Sequence, residues 1–302
     1  MRDKRLGAIL LLLTTALTAN VAAGQEMEPG AYSPAPIGSQ FVVVSYGRQS
    51  GNVLVDASLP LTDVSAKFNA GIFAYGRTFS LANRQANIAV IFPYIWGTAR
   101  GTVREDQLTV RRSGGGDVAI RFSTLLKGGR AMSPKEFAAR KPQTIIGASV
   151  LVLVPTGQYD PQRLLNLSSN RWLFKPEIGI SRPVGRWTFE AMGSARLFTA
   201  NNSFLGDSRR AQRPFASVQG AVIYTLRRRM WLSGNATFYA GGSTVVNGTA
   251  NEDRQENSRI GATFALPLTQ RQSVKIAWAK GVTTRIGGNF NSVVVGWQYA
   301  WF

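Results

Sequence analysis

The chain has 302 residues, and it contains neither cysteine nor histidine. These two absences exclude a disulfide framework, a Ser-His-Asp triad, a Cys-His pair and any zinc site that depends on thiolate or imidazole ligands. An enzyme that works with carboxylates alone is still compatible with the composition. We nevertheless expect no catalytic activity, no cofactor and no bound metal.

Charged residues make up 17% of the chain, which is below the roughly 25% that is usual in soluble domains. The mean hydropathy is close to zero, so the chain does not resemble a membrane protein built from many apolar helices. A β-barrel in a membrane accounts for both values, because each of its strands is apolar on one face only.

The net charge of +19 would indicate a nucleic-acid partner in a soluble protein. The arginines, however, lie mainly at the ends of apolar runs, as at 227–229, and no basic motif is interleaved with aromatic residues. This distribution favours contact with anionic lipid headgroups. We therefore expect membrane lipids as partners and no nucleic acid.

The N-terminus is basic, an apolar stretch follows over 6–19, and small residues come next. This order is typical of a secretory signal peptide, cleaved near Gly24. The alternative is a transmembrane anchor, but the apolar stretch is shorter than the roughly 20 residues that a spanning helix needs. The sequence thus predicts a cleaved signal peptide over 1–24 and one exported domain over 25–302. Its lead segment, 25–38, is rich in Pro and Gly.

Most of the exported domain alternates between apolar and polar residues with a period of two. The clearest example starts at Trp172, where Phe174 and Ile178 share one face while Lys175 and Glu177 share the other. This alternation is typical of strands with one apolar and one polar face. The segments have the length that tilted strands need to cross a membrane. They are predicted near 39–47, 64–76, 86–94, 117–125, 144–155, 172–181, 187–197, 216–226, 232–240, 258–267, 273–281 and 291–302.

The connections between these segments differ in length. Tight ones, such as 181–186 and 269–272, alternate with the long polar ones at 156–171, 199–213 and 241–257. An up-and-down barrel with short periplasmic turns and long outer loops has this rhythm, whereas a Greek-key sandwich is not expected to. We predict an all-β fold, a transmembrane antiparallel up-and-down barrel of about 12 strands with both termini in the periplasm.

Three features depart from the simple pattern. Pro176 lies within a strand, where it removes a ladder hydrogen bond. The segment 108–111 could form a further short strand in an outer loop. Ser133 and Pro134 predict a short helix over 133–140 on the periplasmic side.

The last residues place Trp297, Tyr299 and Trp301 on one face of a strand, and the chain ends at Phe302. Trp and Tyr prefer the membrane interface. Outer-membrane barrels commonly end in such an aromatic strand, which resembles the signal read by the barrel-assembly machinery. We expect this machinery and lipopolysaccharide as partners, and the outer membrane of a Gram-negative bacterium as the location. Whether Trp301 or Phe302 faces the lipid is left open.

Five stretches carry a family resemblance: 31–38, 113–117, 155–160, 170–177 and 253–259. From about residue 31 to its end, the chain resembles the outer-membrane proteins of the MetA pathway of phenol degradation. The resemblance implies a barrel and, through the family name, uptake of hydrophobic or aromatic compounds. Pro176 matches the family pattern, and no catalytic residues are implied.

Polar strand faces that point inward would place eight charged side chains in the lumen. These are Lys67, Arg121, Lys175, Glu177, Glu190, Arg196, Arg259 and Lys275. Such charges commonly form ion pairs that fill a narrow barrel, and in an open pore the excess of Arg and Lys would favour anions. Glu177 and Glu190 lie on consecutive strands, so a carboxylate pair for hydrolysis is a further alternative. Salt bridges to the arginines explain them more simply.

The sequence favours a passive channel or transporter for small, hydrophobic or aromatic molecules. The alternative is a structural or surface-interaction barrel with a plugged lumen, which would work through its long loops. An outer-membrane enzyme ranks third because histidine is missing.

Overall fold

The computed structural model describes residues 28–54, 61–103, 106–163 and 165–302, and the predicted signal peptide lies outside them. This part of the chain forms seventeen strands and one helix, α1 (Pro134–Ala139). In chain order the strands are β1 (Gln40–Leu54), β2 (Leu61–Leu81), β3 (Arg84–Val103), β4 (Asp106–Gly115), β5 (Val118–Lys127), β6 (Ile145–Val154), β7 (Leu173–Val184), β8 (Trp187–Phe198), β9 (Asn201–Phe204), β10 (Ser208–Gln212), β11 (Phe215–Arg227), β12 (Met230–Gly241), β13 (Thr244–Val246), β14 (Thr249–Ala250), β15 (Gln255–Pro267), β16 (Gln272–Thr284) and β17 (Gly287–Trp301). No helix in these ranges is long and apolar enough to cross a membrane.

Twelve of the strands form a closed antiparallel barrel. They pair in the order β1-β2-β3-β5-β6-β7-β8-β11-β12-β15-β16-β17. The last strand returns to the first, with pairs from Gln40↔Trp301 to Leu54↔Gly287. Closure leaves the sheet without a free edge, which hydrocarbon requires. The predicted all-β up-and-down barrel is confirmed, including its twelve strands.

The two ends of the barrel carry different connections. One end, called the terminal end, holds Gln40 and Trp301 and has two-residue turns at 82–83, 185–186 and 228–229. The opposite end, called the loop end, carries the long connections 155–172, 199–214 and 242–254, whereas the terminal end has one long connection, 128–144, which contains α1. β1 therefore starts and β17 ends at the end with the two-residue turns, and the end with short turns faces the periplasm in outer-membrane barrels.

The long connections at the loop end contain regular structure that the sequence pattern did not predict. β9 and β10 pair with each other and, through β13, with β14, so two separate connections form one four-stranded sheet. Asp253 supports this sheet by accepting hydrogen bonds from Thr244 N at 2.7 Å and Thr244 Oγ1 at 2.6 Å. The four strands of this sheet have two to five residues each. Such strands are too short to show an alternating sequence pattern.

β2 and β3 are longer than predicted, with 21 and 20 residues. A tilted strand crosses a bilayer with roughly 9–11 residues, so both strands extend beyond the membrane. There β4 pairs with β3, from Tyr94↔Gly115 to Val103↔Asp106, which confirms and lengthens the short strand predicted at 108–111.

The structure confirms the short helix predicted over 133–140 and the position of Pro176 within a strand. Ser133 is the N-cap of α1 and forms a capping box with Glu136. Pro176 interrupts the β7–β8 ladder, which resumes at Glu177↔Ser194 in the register set by Phe174↔Leu197. Because Pro176 is exposed on the outer face, the strand loses a ladder bond without a shift.

The outer face of the barrel is apolar, and its C-terminal strand is aromatic. The rings of Trp297, Tyr299 and Trp301 follow one another along β17, with centroids 6.3 and 5.6 Å apart. Trp301 shares the outer face with Val293 and Val295, whereas Phe302 comes after the last paired residue and is 71% exposed. Trp301 is therefore the residue on the lipid-facing surface of the strand.

Deleting Phe302 should weaken recognition by the assembly machinery and leave the stability of the folded barrel nearly unchanged. Phe302 makes no strand pair, so we expect the purified barrel to lose less than about 0.5 kcal/mol of unfolding free energy. The amount of folded protein in the outer membrane, measured as the heat-modifiable species on gels, should fall several-fold.

Phe238→Ala is the matched control, because it removes an exposed outer-face ring far from the C-terminus. Equal amounts of folded protein for the deletion and the full chain would refute a role of Phe302 in recognition.

Candidate functional site in the barrel lumen

Charged side chains meet on the inner face of β5, β6 and β7. Glu177 accepts a hydrogen bond from Ser149 Oγ at 2.7 Å, and its other carboxylate oxygen lies 2.8 Å from Lys175 Nζ. Arg121 Nε lies 3.4 Å from the Glu177 carboxylate, while Arg121 Nη2 donates to Ser149 Oγ at 3.0 Å. Lys175 and Glu177 are buried. The four side chains thus form one connected network in the barrel wall.

The residues before β1 cross the lumen, and we call 28–39 the lumen segment. Glu28 forms an ion pair with Lys275 of β16. Gly30 N donates to the Glu190 carboxylate of β8 at 2.9 Å. Further along, the segment reaches β6, which lies six strands from β16 in the twelve-stranded ring. It therefore runs between opposite walls of the barrel.

Tyr32 connects the lumen segment to the charged network. Its hydroxyl lies 3.0 Å from Ser149 Oγ, and the Arg121 guanidinium lies 5.6 Å from the centre of its ring. The ring rests on two glycines, because a Cβ at Gly147 would lie 2.2 Å from Tyr32 Cδ1 and one at Gly179 would lie 2.7 Å from Tyr32 Cε2. Any larger residue at these positions would displace the ring.

Hydrogen bonds also fix the far part of the lumen segment near the terminal end. Ala35 N donates to Gln85 Oε1 of β3 at 2.7 Å. Pro36 O accepts a bond from Thr78 Oγ1 of β2, also at 2.7 Å. Gly38 N donates to the Thr78 carbonyl at 3.0 Å. The segment is thus tied to the wall along its length rather than at one point.

The structure gives seven of the eight charged residues singled out from the sequence an inward position. Arg196 lies with its guanidinium 5.1 Å from the ring centre of Phe215, and Arg259 Nη2 donates to Ser292 Oγ at 3.1 Å. The other five are Arg121, Lys175, Glu177, Glu190 and Lys275. A role for any of them toward a solute stays a prediction.

Lys67 is the exception, because it is exposed on the outer face of β2 between the buried Ala66 and Phe68. Its assignment to the lumen was wrong. The assumption that polar faces point inward fails for this strand, since its inner face carries the apolar residues. Lys67 alternates along the strand with these buried residues and therefore turns outward, on the face that also carries Phe73 and Tyr75.

The inner faces of β2 and β3 are apolar over a long stretch, which we call the apolar strip. Its buried members on β2 are Val64, Ala66, Phe68, Ala70, Ile72 and Ala74, and those on β3 are Ile95 and Ala99. Leu165 and Leu167 from the connection between β6 and β7 pack against it, together with Phe290 of β17. The apolar wall of the lumen therefore lies next to the charged wall, because β3 pairs with β5.

Glu177 and Glu190 do not form a carboxylate pair. Glu177 lies opposite Ser194 and Glu190 opposite Ser181 in the β7–β8 ladder. Four residue steps separate the two positions, which is about 13 Å along a strand. Glycosidases hold their two carboxyl groups about 5–10 Å apart. The geometry therefore does not support the hydrolytic alternative. Within the described ranges, no group of three or more metal-ligating side chains occurs either.

Two buried arginines at the loop end escaped sequence reasoning. The Arg171 guanidinium lies 4.4 Å from the ring centre of Phe198, and that of Arg210 lies 5.1 Å from Phe204. Burial, with the nearby positive charge of Arg210, lowers the pKa of Arg171 to about 9. Burial likewise lowers the pKa of Arg210 to about 10. Arg171 lies in a stretch that carries the family resemblance, but no periodic signal shows that it is buried.

A family model described as "Putative MetA-pathway of phenol degradation" matches residues 17–293. The chain belongs to this family. No curated protein matches it.

Two solved structures share this fold. The COG4313 outer membrane channel from Pseudomonas putida F1 is 21% identical to this chain and superposes on it with a TM-score of 0.76. The alignment covers 91% of this chain and 100% of that one. The transport unit of the autotransporter AIDA-I from Escherichia coli is 10% identical, with a TM-score of 0.50, and covers 99% and 98%. At these identities the likeness establishes the fold of an outer-membrane β-barrel.

Replacing Glu177 by Gln should destabilise the barrel. The change leaves the buried Lys175 and the neighbouring Arg121 without their shared carboxylate. Breaking such a pair commonly costs about 3–5 kcal/mol. Urea unfolding of the purified protein in lipid vesicles measures the loss.

Glu256→Gln serves as the control, because Glu256 is exposed. A loss no larger for Glu177→Gln than for this control would show that the network does not hold the wall together.

Proposed function

We propose that the protein is an outer-membrane channel through which small hydrophobic or aromatic molecules pass by way of the barrel lumen. The observation that carries this proposal is the apolar strip on the inner faces of β2 and β3. An apolar inner wall favours solutes that leave water readily. A pore for polar solutes would expose polar side chains around its whole circumference.

The size of the barrel supports passage of small solutes only. Eight strands leave an interior that side chains fill, whereas barrels of 16 or more strands enclose an aqueous channel. Twelve strands lie between these limits. The lumen segment reduces the free cross-section further, because it runs between opposite walls.

A second function has a specific observation in its favour. The lumen segment crosses the barrel, and Leu165 and Leu167 fold inward at the loop end. A filled lumen combined with the four-stranded loop-end sheet would suit a structural or surface-interaction barrel. Conductance distinguishes the two functions, since only a channel passes current.

Gly147→Ala should lower the single-channel conductance, because the added methyl group pushes the Tyr32 ring off the wall and into the lumen. The new Cβ would lie 2.2 Å from Tyr32 Cδ1, so the ring and the lumen segment must move. Gly220→Ala is the matched control, because nothing lies within 4 Å of a Cβ at that position. Planar-bilayer recordings compare both variants with the wild type.

A conductance that is the same in both variants would show that Tyr32 does not control passage. A wild type and a Gly147→Ala variant that both stay silent would favour the filled barrel instead.

Uptake by cells tests the proposed solutes. A strain without the gene should take up a small aromatic hydrocarbon such as toluene several-fold more slowly than the complemented strain. Lipopolysaccharide restricts the entry of apolar solutes across the outer membrane, so a protein path should matter at low concentration. A sugar of similar mass should enter both strains at the same rate. Unchanged toluene uptake in the deletion strain would rule out the proposed solute class.

A further inference from the structure

Six exposed arginines lie on three neighbouring turns at the terminal end, and we call them the arginine arc. They are Arg182, Arg186, Arg227, Arg228, Arg229 and Arg271. The turns join β7 to β8, β11 to β12 and β15 to β16, which are consecutive strands in the barrel. The segments 182–187, 225–231 and 266–273 contain neither Asp nor Glu. The arc is therefore a surface of a single sign of charge.

The arc lies where the apolar outer face of the barrel ends. Trp187 and Tyr224 form an aromatic pair on this face, with ring centroids 4.6 Å apart, and Leu226 and Leu268 are exposed next to the arginines. Aromatic pairs of this kind mark the level of the lipid headgroups. Arginine side chains at this level place their charge among the headgroups while their methylenes cover apolar surface.

Hydrogen bonds hold two of the three turns in a fixed arrangement. Arg229 Nη1 donates to the carbonyl oxygens of Thr269 at 3.0 Å and Gln270 at 2.6 Å. The guanidinium of one turn thereby fixes the backbone of the next. Arg228 and Arg271 consequently stand on turns whose relative position is set by the protein rather than by a ligand.

The loop end has a different charge pattern. Its exposed arginines, such as Arg209 and Arg254, share their connections with Asp207 and Glu252. Neighbouring acidic groups of this kind compete with any anionic ligand. The unmixed positive charge thus belongs to these three turns of the terminal end in particular and does not follow from the net charge alone.

We propose that the arginine arc binds the phosphate groups of anionic phospholipids in the periplasmic leaflet of the outer membrane. Guanidinium groups bind phosphate with paired, charge-assisted hydrogen bonds. A basic residue near an anionic membrane surface contributes about 1 kcal/mol, which is about fivefold in affinity. Lipid A carries phosphates as well, but it lies in the opposite leaflet, at the loop end.

The test compares two triple variants of the full-length protein. In the arc variant, R186Q, R228Q and R271Q remove three charges while Arg229 keeps its bonds to the neighbouring turn. In the control variant, R111Q, R209Q and R254Q remove three exposed arginines from the loop end. Heat-modifiable migration on gels confirms that each variant is folded.

Native mass spectrometry from detergent then measures the lipid that stays bound after addition of phosphatidylglycerol or phosphatidylethanolamine. We expect the wild type and the control variant to retain phosphatidylglycerol in preference to phosphatidylethanolamine. The arc variant should retain at least about fivefold less phosphatidylglycerol. Raising the salt concentration should reduce the preference, because it screens exposed charges.

Several results would overturn the proposal. Equal retention of phosphatidylglycerol by the arc variant and the wild type would show that the arc is not the site. An equal loss of bound phosphatidylglycerol in both triple variants would show that the net charge of the protein, rather than the arc, determines binding. No preference between the two lipids would remove the role of headgroup charge. Lipid A retained by the wild type and lost in the arc variant, without a phosphatidylglycerol preference, would assign the arc to lipopolysaccharide.

Discussion

The pairing of β1 with β17 is the constraint from which the rest of the molecule follows. Each unpaired backbone N–H or C=O in hydrocarbon costs several kcal/mol, so a membrane sheet must close on itself. Closure from Gln40↔Trp301 to Leu54↔Gly287 puts the start of β1 and the end of β17 at one end of the barrel. The residues that precede β1 therefore start at the mouth of the lumen. The lumen segment uses this position to enter the barrel.

A closed wall gives every strand an inner and an outer face, and the two faces meet different demands. The outer face must be apolar where it meets lipid, and exposed apolar side chains line it around the barrel. The inner face is free to vary, and it does so between strands. β2 and β3 present apolar residues, whereas β5 to β7 present the network around Glu177. The charges in that network satisfy one another, as burial requires.

The sequence was sufficient to predict the wall of the barrel because lipid imposes a simple rule on it. Alternation and turn residues located the twelve strands, and the capping pattern located α1. The same rule misplaced Lys67, because the polar positions of β2 are not its inner positions. Alternation shows that a strand has two faces, but only packing decides which face turns inward.

The contents of the lumen were beyond sequence reasoning for a different physical reason. Tyr32 contacts Gly147 and Gly179, which are more than 100 positions away along the chain. The periodicity of a short stretch of sequence cannot indicate a contact between residues so far apart along the chain. The loop-end sheet is equally non-local, since it joins segments on either side of β11 and β12. Two of the stretches that carry the family resemblance include Tyr32 and Arg171. A resemblance indicates relatedness, but it does not show which residues these side chains pack against.

The way in which the inner charges are used bears on what can pass. Lys275 is paired with Glu28, Glu190 accepts from Gly30, and Glu177 is shared by two cations. These groups hold the lumen segment and the wall, so an arriving ion would have to displace a protein partner. The apolar strip is packed against Leu165 and Leu167 rather than against a charged partner, so an apolar solute that binds there displaces only apolar side chains. The inner surface therefore offers more to an apolar solute than its excess of positive charge would suggest.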